Sequence, residues 1–118
     1  MRKSIFVCCL LVLCMSCSDV VLVEDISGEN IRVLAPTDGA LLNENIVTFT
    51  WEQVEDAERY AIQIAKPNFA EALQIVTDST ITGLNFTKVL ELGEYQWRVR
   101  GENSEYHTAY SIQSFTIE

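Results

Sequence analysis

The chain has 118 residues, 48% of them hydrophobic, with 17 acidic and eight basic residues and a formal net charge of −9. That length holds one domain. The acidic balance excludes the basic stripe that nucleic acid requires to displace its counterions, and it excludes adsorption to anionic lipid through charge alone.

The first element is a leader. Arg2 and Lys3 precede an uncharged apolar run, Ile5–Met15, which Ser18-Asp19 closes. A basic start followed by a run of this length is the pattern of a secretory signal peptide. It is too short to span a bilayer, which takes roughly 20 apolar residues. All four cysteines, Cys8, Cys9, Cys14 and Cys17, fall within the leader or at its end. Ser16-Cys17 resembles the junction of a bacterial lipobox, whose cysteine becomes the acylated first residue after cleavage. Cys14 and Met15 stand where that motif usually has Leu and a small residue. In the other reading these cysteines are small hydrophobes of an ordinary signal peptide. Lipidation is favoured because the rest of the chain holds no cysteine to pair with Cys17. The expectation is therefore a signal peptide over 1–16 and a lipid anchor at Cys17. The remaining chain carries six basic and 17 acidic residues, a net charge of −11. Two or more acyl chains give stable anchoring, at roughly 0.8 kcal/mol per buried CH₂.

Residues 17–30 read as a flexible tether, with Glu24, Asp25, Gly28 and Glu29 following a short apolar stretch, Val20–Val23, that could instead add a strand. From Ile31 the apolar period becomes two, the mark of strands. The spacing predicts strands at Ile31–Ala35, Ile46–Trp51, Tyr60–Ala65, Leu73–Thr77, Thr80–Phe86, Glu94–Arg100 and Ala109–Ile117. Pro36-Thr37-Asp38-Gly39 stops the first, Lys66-Pro67-Asn68 breaks the third, and Gly83 marks a bulge in the fifth. In the last strand Tyr110 and Ile112 share one parity, Phe115 and Ile117 the other. A bulge near Gln113-Ser114 would bring all four to one face. No stretch keeps a helical period. Seven short strands with polar turns predict an all-β antiparallel sandwich over 31–118. Its core is expected from Phe49, Trp51, Tyr60, Ile62, Ile64, Phe86, Tyr95, Trp97, Val99, Phe115 and Ile117.

These residues resemble a fibronectin type III domain, an immunoglobulin-like fold. Phe49-Thr50-Trp51-Glu52 and Tyr60-Ala61-Ile62-Gln63-Ile64 are similar to that family's second and third strands. Leu92-Gly93-Glu94-Tyr95-Gln96-Trp97 is similar to its tyrosine corner, with Leu92-Gly93 in place of the proline often found there. Combined with the leader, the pattern resembles small Bacteroidetes-type surface lipoproteins. The resemblance implies an exported, lipid-anchored protein at the outer membrane or cell surface. The fold does not specify a function.

Chemistry is sparse. His107 is the only histidine and has no nucleophile-elbow or metal-ligand spacing around it. Glu55, Asp56 and Glu58 lack the spacing and glycine of a calcium loop. No catalysis, metal or cofactor is expected. Tyr106, His107 and Tyr110 are the binding candidates, because end loops of a sandwich carry recognition and an exposed Tyr can stack on a sugar or anchor a protein contact. The plainer alternative puts Tyr110 in the core and makes Tyr106 a loop plug. Arg98 and Arg100, on the outward face of their strand, either join cross-strand pairs or hold a carboxylate. Asp78-Ser79-Thr80 resembles the O-glycosylation motif of Bacteroidetes secreted proteins and makes Ser79 a candidate site in a turn. The partner is expected to be a protein or, alternatively, a glycan.

Overall fold

The computed structural model describes residues 22–118; the leader and Cys17 lie outside the described residues. Among the described residues eight strands form, one more than the alternation predicts: β1 (Val33–Ala35), β2 (Ala40–Leu42), β3 (Ile46–Trp51), β4 (Arg59–Lys66), β5 (Gln74–Ile81), β6 (Asn85–Val89), β7 (Gly93–Glu102) and β8 (Ser111–Ile117). They build two facing sheets, a three-stranded one in the order β1-β3-β6 and a five-stranded one in the order β2-β8-β7-β4-β5. All pairs are antiparallel except β2 with β8.

The additional strand comes from the Pro36–Gly39 cluster, which switches the chain from one sheet to the other instead of ending a strand. Gly39 takes φ 83°, a left-handed conformation that costs glycine little. Its amide donates to the Ser114 carbonyl at 2.7 Å, and Asp38 Oδ1 accepts from the Ser114 amide at 2.8 Å. The indole of Trp97 closes the crossing by donating to the Pro36 carbonyl at 3.2 Å.

Three further expectations are corrected. Thr80–Phe86 is not one strand: Thr80 and Ile81 end β5, residues 82–84 cross between the sheets, and Asn85 opens β6. Gly83 thus lies in a connection, and the irregularity of this region is in the β4–β5 pairing, between Ile64 and Ala65. The bulge expected near Gln113-Ser114 is absent, because β8 pairs with β7 in unbroken register from Ser111 to Ile117. Gln113 therefore points inward and is buried, while Tyr110 and Ile112 lie on the outer face. Finally, the tether is held at its end. Ile26 is 2% exposed, and the Glu24 carbonyl accepts from Asn103 Nδ2 at 2.9 Å.

Alternation fills the space between the sheets as predicted, with Phe86 half-buried but packed against the core, its ring 6.3 Å from that of Phe49. Phe49 sits at the centre, its ring 4.9 Å from Trp97 and 5.7 Å from Phe115, and Trp51 lies 5.8 Å from Tyr60. Ile31, Val47, Val54 and Leu90 complete this core. Its polar atoms are mostly satisfied at the rim. Tyr60 Oη accepts from the Val54 amide at 3.0 Å, and Tyr95 Oη donates to the Glu91 carbonyl at 2.8 Å. That second bond is the tyrosine corner, bracing the turn into β7. Gly93 begins that strand at φ 144°, where a side chain would meet Lys66 Cε at 3.0 Å.

Candidate recognition surface

The site is built on β7, whose inward residues Tyr95, Trp97 and Val99 are buried. Strand alternation then sends Gln96, Arg98, Arg100 and Glu102 to the outer face of the five-stranded sheet. Register supplies their neighbours: Gln63 and Ile112 flank Arg98, Ala61 lies across from Arg100, and Arg59 across from Glu102.

These side chains form a ladder along the sheet. Arg98 Nε donates to Gln63 Oε1 at 2.7 Å, and its guanidinium carbon lies 4.1 Å from the Phe69 ring centre and 4.4 Å from that of Tyr110. Arg100 also lies over Tyr110, at 4.8 Å, and its Nε donates to Glu102 Oε2 at 2.9 Å. Glu102 receives a second donor, Arg59 Nε, at 3.3 Å. Guanidinium–aromatic stacking of this kind is worth about 0.5–1 kcal/mol per exposed contact. Phe69 comes from the loop between β4 and β5. Gln96 holds it in place by accepting from the Phe69 amide at 2.9 Å, and Asn68 Oδ1 caps the same loop by accepting from Glu71 at 2.8 Å.

The ladder runs into the β7–β8 loop through Asn103, which is 4% exposed. Asn103 Oδ1 accepts from the amides of Glu105 and Tyr106 at 3.0 and 2.8 Å, and its Nδ2 reaches the carbonyls of Glu24 and, at 3.3 Å, Asp56. Arg59 Nη2 donates to its carbonyl at 2.9 Å. One side chain thus fixes the loop, the β3–β4 connection and the N-terminal segment together. Tyr106 and His107 line a cleft of about 230 Å³ with Arg59, Arg100 and Glu102. Tyr106 is half-buried; His107 is exposed, with Nδ1 3.0 Å from the Thr108 carbonyl oxygen.

Of the predicted binding residues, Tyr106 and His107 therefore share a cleft, and Tyr110 stands on the other side of Arg100, outside the core. Phe69, Gln63 and Arg59 carry no sequence signal of their own; only register and loop packing bring them to this face. Ser79 lies in β5 and not in a turn. It pairs with Ile62, whose side chain faces the core, and is half-buried. Cys17 lies outside the described residues. Among the described residues no three His, Cys, Asp or Glu side chains converge as metal ligands would, and no helix is long and apolar enough to cross a membrane. At the opposite pole, a wider cleft of about 880 Å³ is lined by Asn43, Ile46, Leu90, Leu92 and Ile117, with Glu44, Glu91 and Glu118 at its rim.

No protein-family model matches the sequence, and no curated protein matches it. Solved structures do match it in fold. Fibronectin(III)-like modules of CbhA from Clostridium thermocellum superpose with a TM-score of 0.55 at 8% identity, covering 75% of this chain and 96% of that one. The fibronectin type III domain derived from human KIAA0970 protein gives 0.54 at 16% identity, over 75% and 72% of the two chains. An Fn3-like protein from Clostridium thermocellum gives 0.50 at 17% identity, over 68% and 86%. The chain has the fibronectin type III fold, and these identities carry the likeness no further than the fold.

Proposed function

We propose that this protein is a non-enzymatic interaction module, exported and lipid-anchored through Cys17 to the outer membrane or cell surface, which docks a protein partner on the outer face of β4, β7 and β8. The observation that carries this reading is the ladder of Phe69, Arg98, Tyr110 and Arg100. Arg and Tyr dominate the energetics of protein interfaces, and here the arginines stand on β7 with Tyr110 just before β8, none of them contributing to the core.

The attachment of the N-terminal segment supports the choice of face. Glu24 is bonded at the Asn103 pole, seven residues after Cys17. An extended chain spans at most about 3.3–3.6 Å per residue, so an anchor at Cys17 keeps that pole within roughly 25 Å of the bilayer surface. The Tyr106–His107 cleft then lies nearest the membrane, the β4–β7–β8 face stands to the side, and the wider cleft points away. With a net charge of −11 on the chain after cleavage, the acyl chains and not the protein surface hold it there.

A second reading, a carbohydrate-binding accessory lipoprotein, is favoured by the Tyr106–His107 cleft with its Arg59, Glu102 and Asn103 polar groups. One preparation tests both. The membrane-extracted protein should have the mass of the chain from Cys17 plus acyl groups, Cys17→Ala should release it from membranes, and a glycan array should return no specific ligand. A Cys17→Ala protein that stays equally membrane-bound contradicts the anchor. Specific glycan binding lost in Tyr106→Ala contradicts the protein-docking role.

A further inference from the structure

We infer that the guanidinium of Arg98 is a receptor for one carboxylate, supplied by an Asp or Glu side chain of a protein partner lying across the β4–β7–β8 face. The inference deepens the docking reading and rests on it.

Arg98 differs from the two other arginines on this face. Arg59 and Arg100 share the Glu102 carboxylate, and Arg59 also meets Glu58 at 3.5 Å. Arg98 has no carboxylate partner among the described residues, in a chain with 17 acids. Its Nε is bonded to Gln63, and the rings of Phe69 and Tyr110 hold the guanidinium plane. The two terminal nitrogens have no hydrogen-bond partner among the described residues. A guanidinium so held has lost its side-chain freedom before any ligand arrives, so binding costs less ordering. Its open end offers two parallel N–H donors, the geometry that matches a carboxylate in bidentate fashion.

The surroundings favour one carboxylate over a polyanion and a protein over a free small molecule. An extended polyanion would pass close to other carboxylates of this acidic chain and be repelled there. A single carboxylate in contact with Arg98 is instead dominated by that fork, because exposed charges beyond about 8 Å are largely screened at physiological ionic strength. Ile112, directly across from Arg98 on β8, is 48% exposed. With Tyr110 and Phe69 it makes an apolar rim able to exclude water around the pair, as at interface hot spots. Neither neighbouring cleft includes Arg98 or Tyr110, so the fork lies on the open sheet face and not in a concave small-molecule site.

The test is selection of displayed random dodecapeptides on the full chain as isolated from cells in detergent, with or without acyl groups, followed by affinity measurement with the selected peptides. The expected result is an Asp or Glu in every enriched family, next to an apolar residue. Affinity should fall about tenfold or more in Arg98→Gln, and comparably in Arg98→Lys, which keeps the charge but loses the fork. Thr87→Ala, on the opposite sheet, should bind normally. Should either Arg98 variant fold poorly, the Arg98 side-chain N–H resonances of the unaltered protein must shift on peptide addition. Families without an acid, acidic peptides indifferent to Arg98→Gln, or unshifted Arg98 resonances overturn the inference. Oligogalacturonate displacing the peptides at lower concentration than the peptides themselves also overturns it, in favour of a glycan carboxylate. The measurement needs no membrane, so a failed anchor leaves it intact. Peptide binding that localises away from β4, β7 and β8 would instead remove the docking reading itself.

Discussion

Gln113 shows how a single polar residue can invert the reading of a strand. Tyr110 and Ile112 are apolar and read as core, and a bulge is then needed to bring Phe115 and Ile117 to the same side. In the structure the parity never breaks. Gln113 takes the inward position, bonded to Ser111 Oγ at 2.6 Å through Nε2, with its Oε1 left buried and unpartnered. The aromatic and aliphatic side chains on the other parity are occupied by Arg98 and by the open face. An unsatisfied buried acceptor costs about 1–3 kcal/mol, so Gln113→Leu is expected to stabilise the domain by about 1 kcal/mol, read as a higher urea midpoint at unchanged slope. A lower midpoint would contradict this. Tyr95→Phe removes only the bond to Glu91 O and should cost about 1 kcal/mol. Phe49→Ala empties the centre of the core and should cost about 3–5 kcal/mol, enough to unfold a domain of marginal stability. Asp25 titrates on a smaller scale. The hydroxyl and then the amide of Ser27 hydrogen-bond its carboxylate and hold it below the usual carboxylate range. The Asp25–Ser27 turn is thus supported above the ordinary Asp value of 3.8 and loses that support as pH falls through the lowered one. The Ser27 amide chemical shift should titrate only in strong acid, and a titration of it above the ordinary Asp value would contradict the assignment.

Among the elements, β3, β4 and β7 were legible because each alternates cleanly and each buries one parity completely. What could not be read were the places where the chain changes sheets. Pro36–Gly39 and residues 82–84 look locally like a strand stop and a strand interior; their role depends on Ser114 and on β6, which are distant in sequence. The N-terminal segment was hidden for a similar reason. Glu24-Asp25 and Gly28 have spacer composition, and only the burial of Ile26 and the bond from Asn103 reveal that residues 24–30 close the loop pole. Asn103→Ala leaves the Glu105 and Tyr106 amides and the Glu24 carbonyl without their partner. It should therefore free this segment and the β7–β8 loop together, with faster amide exchange at Tyr106 and proteolytic cleavage near Glu29, while exchange in β3 and β4 stays slow. Loosening of one without the other would show that Asn103 does not couple them. The candidate site was half legible: Arg98, Arg100, Tyr106 and Tyr110 announce themselves by type, but the ladder needs Phe69, which a broken loop delivers, and Gln63, which register delivers.

At the scale of the whole molecule, β7 is the rod that separates two unlike poles. Its residues Gly93 to Glu102 span about 30 Å at roughly 3.3 Å each, with the acid-rimmed cleft at one end and Asn103 at the other. Under the proposed anchor at Cys17, the tether would leave from the Asn103 pole and hold that pole toward the membrane. A fluorophore at Ser104 in the lipidated protein on vesicles should be quenched by headgroup-labelled lipid, and one at Asn43 should not. Equal quenching would mean that the domain lies flat or tumbles freely. In that proposed arrangement the β4–β7–β8 face would point sideways, within reach of a neighbouring protein. A photo-crosslinker placed on that face in native membranes tests directly whether it docks a partner. A probe at Ile112 should give a discrete protein adduct that Arg98→Gln abolishes, while a probe at Val89, on the opposite sheet, should give none. Adducts of equal yield from Val89, or an Ile112 adduct indifferent to Arg98→Gln, would contradict it.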